Sequence, residues 1–259
     1  MEYPKTSLVA NGMLAVLETG STNQDLLALA ASNHHPEFFT LITEFQTAGR
    51  GRLDRKWQAA PGSSVMASVL LRPSFKNEAA IGWLTLMMAE AIKTVLAELG
   101  IDSKIKWPND VLVNGLKISG VLAEANSALS AVVVGFGINV NQGVKELPTS
   151  SATSLMAAGA DSVDRDDLLA QTLRSFKQMY QELVYAEGDA TVSGLRSRIL
   201  ESSATIGELV EVSFPDGTSA VGEAVDIDAS GRLQVLSATQ TLSVSAGDVL
   251  HLRTTKLED

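Results

Sequence analysis

The chain has 259 residues, no cysteine and a formal net charge of −10 at neutral pH, with a pI near 4.8. That excludes disulfides, thiolate metal sites and cysteine nucleophiles, and it argues against a general affinity for nucleic acid or anionic lipid. Hydrophobic residues make up 45% and charged residues 19%, enough apolar side chain to build one large domain or two smaller ones.

In chain order, residues 1–12 read as a loose lead-in. No basic segment followed by a long apolar run is present there, so no signal peptide is expected. No stretch is expected to reach the roughly 18 apolar residues of a membrane span. The absence of cysteine fits a cytoplasmic compartment. His34, His35 and His251 lack metal-ligand spacing, so no protein metal site is assigned.

Residues 14–17 read as a short strand, followed by an Ala/Leu helix through Ala31. Ser21, Thr22 or Asn23 can cap that helix; the same groups can hold a polar ligand at its N-terminus. Capping is the first reading. A second strand is expected over 38–44. It feeds the segment 44–57, which sets Gly49 and Gly51 among Arg50, Arg52, Arg55 and Lys56 and ends at Trp57. Glycine admits close backbone approach and arginine offers a planar fork for phosphate or carboxylate, so the segment reads as an anion clamp or as a solvated basic turn. It is not a Walker A loop, which needs Lys-Ser/Thr after its last glycine, nor a Rossmann Gly-x-Gly-x-x-Gly.

A strand is expected over 63–72 and a helix over 78–99, with apolar residues at helical spacing and Gly100 as its stop. Residues 111–113 and 116–124 flank Asn114-Gly115, a hairpin signal. Residues 131–140 form a strand whose glycines admit close approach of a ligand or backbone. Mixed hairpins and helices favour a largely antiparallel or mixed sheet over repeated βαβ units.

Residues 149–162 read as a loop with a short helix. Asp164 caps a helix beginning near Arg165, Asp166 and Asp167 suit its dipole, and a second helical piece runs to about Ser202. Beyond residue 204, alternating strands at 208–214, 220–226, 233–236, 241–244 and 249–252 are punctuated by Asp216-Gly217, Ser230-Gly231 and Gly247-Asp248. They form a small all-β unit of about 50 residues, near the lower limit of independent stability. The expected division is 1–203 and 204–259.

Four polar clusters interrupt this apolar framework: Ser21-Thr22-Asn23; Gln46 with Gly49–Arg52; Lys106-Trp107-Pro108-Asn109-Asp110 with Lys117; and 135–141, which contains Asn139 and Asn141. Singly each has a plain reading. Trp57 and Trp107 read as core aromatics, Asn109-Asp110 as a turn, Lys117 as a solvated hairpin lysine, and the two asparagines as partners of their own backbone.

In this order the clusters resemble the biotin–protein ligase family: Ser-Thr-Asn at 21–23, Gln-Thr-Ala-Gly-Arg-Gly-Arg at 46–52 with Arg55 and Trp57, Lys-Trp-Pro-Asn-Asp at 106–110, Leu-Lys-Ile-Ser-Gly-Val-Leu-Ala-Glu at 116–124 and Gly-Phe-Gly-Ile-Asn-Val-Asn at 135–141. Asp54 departs from the glycine that many members carry there. The resemblance implies an α+β fold: a mixed, largely antiparallel sheet flanked by helices, like the class II aminoacyl-tRNA synthetases, with a small C-terminal SH3-like β-barrel.

It also implies ATP-dependent formation of biotinyl-5′-AMP and transfer of biotin to one lysine of a biotin carboxyl carrier domain, with Mg²⁺ accompanying ATP. Lys117, Arg50 and Asp110 are the implied catalytic residues. Ser21, Thr22, Asn23, Gln46, Gly49, Arg50, Gly51, Arg52 and Lys117 would hold biotin. Arg52, Arg55, Trp57, Asn109, Lys117, Asn139 and Asn141 would hold the nucleotide. No DNA-binding helix-turn-helix is expected from the about 13 residues before the first strand, so neither DNA nor membrane is an expected partner. A lipoate-ligase relative, a biotin-responsive repressor and a catalytically silent binding module are the competing readings.

Overall fold

The computed structural model describes residues 2–251 except 33, 54, 76–77, 215–216 and 246–247. Asp54, the turn positions Asp216 and Gly247, and the strand end Leu252 lie outside the described residues.

A short helix α1 (Pro4–Ser7) leads to β1 (Met13–Thr19), α2 (Thr22–Ala30), β2 (Thr40–Gln46) and β3 (Ser64–Leu71). A 3-10 turn (Glu78–Trp83) runs into α3 (Leu84–Glu98). Then come β4 (Lys104–Lys106), β5 (Asp110–Val113), β6 (Leu116–Ala125) and β7 (Val132–Asn139), followed by α4 (Arg165–Tyr185) and α5 (Leu195–Ser202). The first sheet has the order β1-β2-β3-β7-β6-β5-β4. Only β1 and β2 run parallel; the other pairs are antiparallel.

Side chains of a strand alternate between faces, and here the two faces differ. Ile42, Val65, Ala67, Val69, Val132, Val134 and Phe136 join Trp83, α3 and α4 in the main core. On the opposite face Leu41, Leu70 and Val133 meet Leu26 and Ala30 of α2. Further along that second face the apolar residues give way to Ser68, Gly135 and Gly137, and the floor of a cavity begins at the N-terminus of α2.

The Asn114-Gly115 hairpin has both residues at positive φ, 50° and 77°, as that turn demands. Gly100, at φ 75°, ends α3. The Asp164 carboxylate accepts the Asp166 and Asp167 amides and caps α4.

Several expectations need correction. Residues 2–12 are not a loose lead-in: Tyr3 and Thr6 are buried, the Tyr3 hydroxyl donates to Glu44 (2.9 Å), and the Lys5 and Thr6 amides donate to the Asp166 carboxylate (2.8 and 2.9 Å). Glu44 lies 41 residues from Tyr3 and Asp166 160 or more from Lys5 and Thr6, beyond any local signal. Residues 149–162 contain no helix and run as turns. Ala79–Glu98 does have the length and apolarity of a membrane span, but it is the mostly buried central helix of the core. Trp57, unlike Trp107, is not a core aromatic but lines the cavity.

The C-terminal sheet comprises β8 (Leu209–Ser213), β9 (Ser219–Ile227), β10 (Leu233–Leu236), β11 (Thr241–Val244) and β12 (Asp248–His251), in the order β11-β10-β9-β8-β12, all antiparallel. Among the described residues β11 and β12 do not pair, so the expected SH3-like barrel is an open sheet here. Its apolar face (Val210, Val212, Ala224, Val235) continues the main core. Two indoles clamp its turn: Trp83 Nε1 donates to Ala229 O and Trp107 Nε1 to Gly231 O. The two backbones cross so closely at Gly82 that a Cβ there would sit 2.2 Å from Ser230 O.

Candidate active site

The cavity encloses about 170 Å³ between the α2 N-terminus, the 50–57 segment, residues 106–110 and the β6–β7 floor. Among the described lining residues, six are basic (Arg50, Arg52, Arg55, Lys56, Lys106 and Lys117) and one is a carboxylate, Asp110. In a chain of charge −10 this concentrates positive potential where two anions can be held together.

One end is neutral and polar. Ser21 has N-cap geometry, yet its side chain makes no cap hydrogen bond, which corrects the capping reading. It is buried on the cavity wall. Gln46 Oε1 accepts the Thr22 amide (2.9 Å) and hydroxyl (3.2 Å). Ser68 Oγ lies 2.7 Å from both Thr22 Oγ1 and Asn23 Oδ1, so its single proton serves one of them at a time. Asn23 Nδ2 donates to Leu122 O and to Glu124. A Cβ on Gly135 would meet Asn23 Oδ1 at 1.9 Å; the glycine is what lets Asn23 lie on the sheet.

The other end is cationic. The Gly-Arg segment closes on itself as a small hairpin: Gly51 N donates to Arg55 O and Trp57 N to Gly49 O, while Arg50 bridges Lys56. A Cβ on Gly49 would strike Trp57 O at 2.5 Å, so no larger residue fits. Arg50 pairs with Glu124 at 2.9 Å, Arg52 stands 6.0 Å over the Trp107 ring, and Lys117 Nζ lies 2.6 Å from Asp110 Oδ1. The last is an ion pair by distance that falls outside hydrogen-bond alignment, since Oδ1 is buried without an aligned donor among the described residues.

The Trp57 ring rests on bare backbone: a Cβ on Gly137 would be 2.3 Å from it and one on Gly120 3.5 Å. These two glycines pair across β6 and β7. Trp57 Nε1 is buried without a partner among the described residues, a costly state that an acceptor would relieve.

Ser21, Thr22, Asn23, Gln46, Arg50, Gly51, Arg52, Arg55, Trp57, Asn109, Asp110 and Lys117 thus converge. Gly49 lines the outer side of the hairpin. Asn139 and Asn141 do not reach the cavity lining. Asn139 is buried with its amide engaged by Ser64, Gln142 and Thr153, and Asn141 is exposed. Ser68, Glu124, Lys56, Lys106 and the floor glycines take parts that the motifs alone did not assign; a serine and paired glycines inside apolar strands were the available signal.

No cluster of three His, Asp or Glu among the described residues could hold a metal ion. Asp110 offers one carboxylate. That donor set fits only a cation carried mainly by phosphate oxygens and water, as Mg²⁺ on a nucleotide is.

Residues 18–141 match the Biotin/lipoate A/B protein ligase family and residues 205–252 the Biotin protein ligase C terminal domain. The chain is 40% identical over 242 residues to the biotin–[acetyl-CoA-carboxylase] ligase of Mycobacterium tuberculosis, covering 92% of this chain and 88% of that one. It is 29% identical over 225 residues to the enzyme of the same name from Paracoccus denitrificans, covering 83% and 90%. The fold superposes on a biotin protein ligase from Aquifex aeolicus in complex with biotin and ATP, with a TM-score of 0.78 and 26% identity over 94% of this chain and 100% of that one. Cavity, two-sheet architecture and near full-length likeness agree: the chain belongs to the biotin protein ligase family.

Proposed function

We propose that the chain activates biotin with ATP as biotinyl-5′-AMP and passes the biotinyl group to the ε-amine of one lysine on a carboxyl-carrier domain of the acetyl-CoA carboxylase type. The observation that carries this reading is the single cavity with a neutral hydrogen-bonding end and a cationic end. It suits a ligand with a neutral polar ring and a carboxylate that must meet a phosphate.

In the first step a biotin carboxylate oxygen attacks the α-phosphorus and the bond to the β-phosphate oxygen breaks, releasing pyrophosphate. In the second the lysine nitrogen attacks the acyl carbon, the bond to AMP breaks with its electron pair leaving on AMP, and the amine loses a proton. Neither step needs an enzyme nucleophile, so catalysis comes from positioning and charge stabilisation.

Ser21, Thr22, Asn23 and Gln46 hold the ring end. Gly49, Gly51, Arg50 and Arg52 close over the carboxylate and phosphates, and Arg55 reaches the phosphate chain. Lys117 leaves Asp110 to lie between the two anions. Trp57 and Asn109 hold the nucleotide, with Trp57 packing on it as a lid. Asp110, once released, directs or receives the amine proton. Mg²⁺ bound with ATP would lower the charge on the phosphates, held mainly by phosphate oxygens and water. The division at 203/204 belongs to this reading, the second unit leaning on the first through their shared core. So does a cytoplasmic setting, where ATP and the carrier are at hand.

The test is incubation with biotin, MgATP and a carrier domain. A mass gain of one biotinyl group on a single lysine is expected; no modification, or equal modification with lipoate, would refute the reading.

A further inference from the structure

Glu124 stands on β6 two residues beyond Leu122, opposite Val133 as Leu122 is opposite Gly135. Residues two apart share one face of a strand. Leu122 lines the cavity, whereas Glu124, one step further along that face, does not. Its carboxylate nonetheless reaches both ends of the site. Oε2 accepts from Asn23 Nδ2 and Oε1 from Arg50 Nη1, each at 2.9 Å. Asn23 is 101 residues away in sequence and Arg50 74, so neither contact is local.

The two contacts act on different segments. Asn23 is the second residue of α2. Its amide donates to Leu122 O (3.0 Å) as well as to Glu124, and its Oδ1 lies 2.7 Å from Ser68 Oγ. The head of α2, with Ser21 and Thr22 on the cavity wall, is thereby held on the sheet. Arg50 belongs to the hairpin closed by Gly51 N on Arg55 O and Trp57 N on Gly49 O. The Arg50 side chain is 43% exposed and that of Glu124 23%. A pair so exposed is weak when both side chains must be ordered for it alone. Here Asn23 already fixes the carboxylate, so Arg50 meets an acceptor in place. Both partners are donors, and only a carboxylate serves both: a glutamine has one acceptor oxygen and turns its NH₂ toward a donor.

We infer that Glu124 is a positioning residue that sets the Gly-Arg hairpin in register with the head of α2: through Asn23 it holds the neutral end of the cavity, and through Arg50 it fastens the hairpin beside it. The inference rests on the reading of the cavity as the biotin site. It makes biotin affinity depend on a carboxylate that lies outside the cavity lining.

The experiment compares Glu124→Gln, Arg50→Ala and the double variant in the full chain, by calorimetric titration with biotin and by mass mapping of limited tryptic cleavage after Arg52 and Arg55. Glu124→Gln should weaken biotin binding about tenfold, the scale of one charge-assisted hydrogen bond, and speed ligand-free cleavage at both arginines. In pyrophosphate exchange at saturating biotin, its KM for ATP should stay within about twofold of the unsubstituted chain. In the Arg50→Ala background Glu124→Gln should add nothing to the cleavage rate, since it reaches the hairpin through Arg50. Arg50→Ala alone should speed cleavage to the same degree, and it serves if Glu124→Gln does not fold. Unchanged biotin affinity or unchanged cleavage in folded Glu124→Gln, unchanged cleavage in Arg50→Ala, or full additivity of cleavage in the double variant would each overturn the inference. An unsubstituted chain that binds no biotin would instead remove the reading of the cavity, and ligand-free cleavage would still decide whether Glu124 fastens the hairpin.

Discussion

Lys117 is the side chain whose loss the first chemical step should feel most. Lys117→Ala should slow biotin-dependent pyrophosphate exchange by about a hundredfold or more, the scale of removing one transition-state charge donor. Lys117→Arg should restore it only in part, since a planar fork replaces a point charge. Asp110→Asn should separate the two steps: exchange persists while transfer to carrier falls by about a hundredfold, read by carrier mass. Gly137→Ala should drive Trp57 off the strand, because the new Cβ lies 2.3 Å from its ring. The checks are a red-shifted tryptophan emission absent in a Trp57→Phe background, and a loss of overpacking size, about 1–3 kcal/mol, if the ring cannot leave. The cations of the cavity were legible because arginines flanking glycines in an acidic chain have few plain explanations. The buried hydrogen bonds around Asn139 were not, since the residues that engage its amide, Ser64 and Thr153, come from other segments of the chain.

Helix α3 carries a buried carboxylate into the core. Burial pushes the Glu90 carboxyl up from its ordinary value, only partly offset by Ser202 and Lys93. The folded state therefore holds this proton above the unfolded value of about 4.5, and the group costs stability as pH rises through the folded pKa. Glu90→Gln should raise Tm at neutral pH, with the gain shrinking as pH falls toward the unfolded carboxyl range; a gain that grew on acidification would contradict the burial. At the Gly-Arg hairpin, biotin with ATP should protect Arg50, Arg52 and Arg55 from trypsin, and equal cleavage with and without ligand would count against closure. The strands and α4 were readable from alternation, turn residues and the Asp164 cap. The docking of α1 was not, because the Asp166 carboxylate that receives its amides reads locally as a helix-dipole residue.

Across the whole molecule the two sheets share one apolar core, and the C-terminal turn is pinned by Trp83 and Trp107. Calorimetry should therefore give one cooperative transition, and two separated transitions would contradict the shared core. Trp83→Phe, which removes one indole donor from that clamp, should cost about 1–3 kcal/mol within the single transition. The motif order made the family and general architecture legible from sequence, while the open C-terminal sheet and its crossing at Gly82 depend on pairings that short alternating strands leave unspecified. In this cavity biotin is joined to adenylate. Isotope exchange between labelled pyrophosphate and ATP tests it most directly: label should enter ATP only when biotin is present. Exchange independent of biotin, or none with biotin and MgATP both supplied, would contradict it.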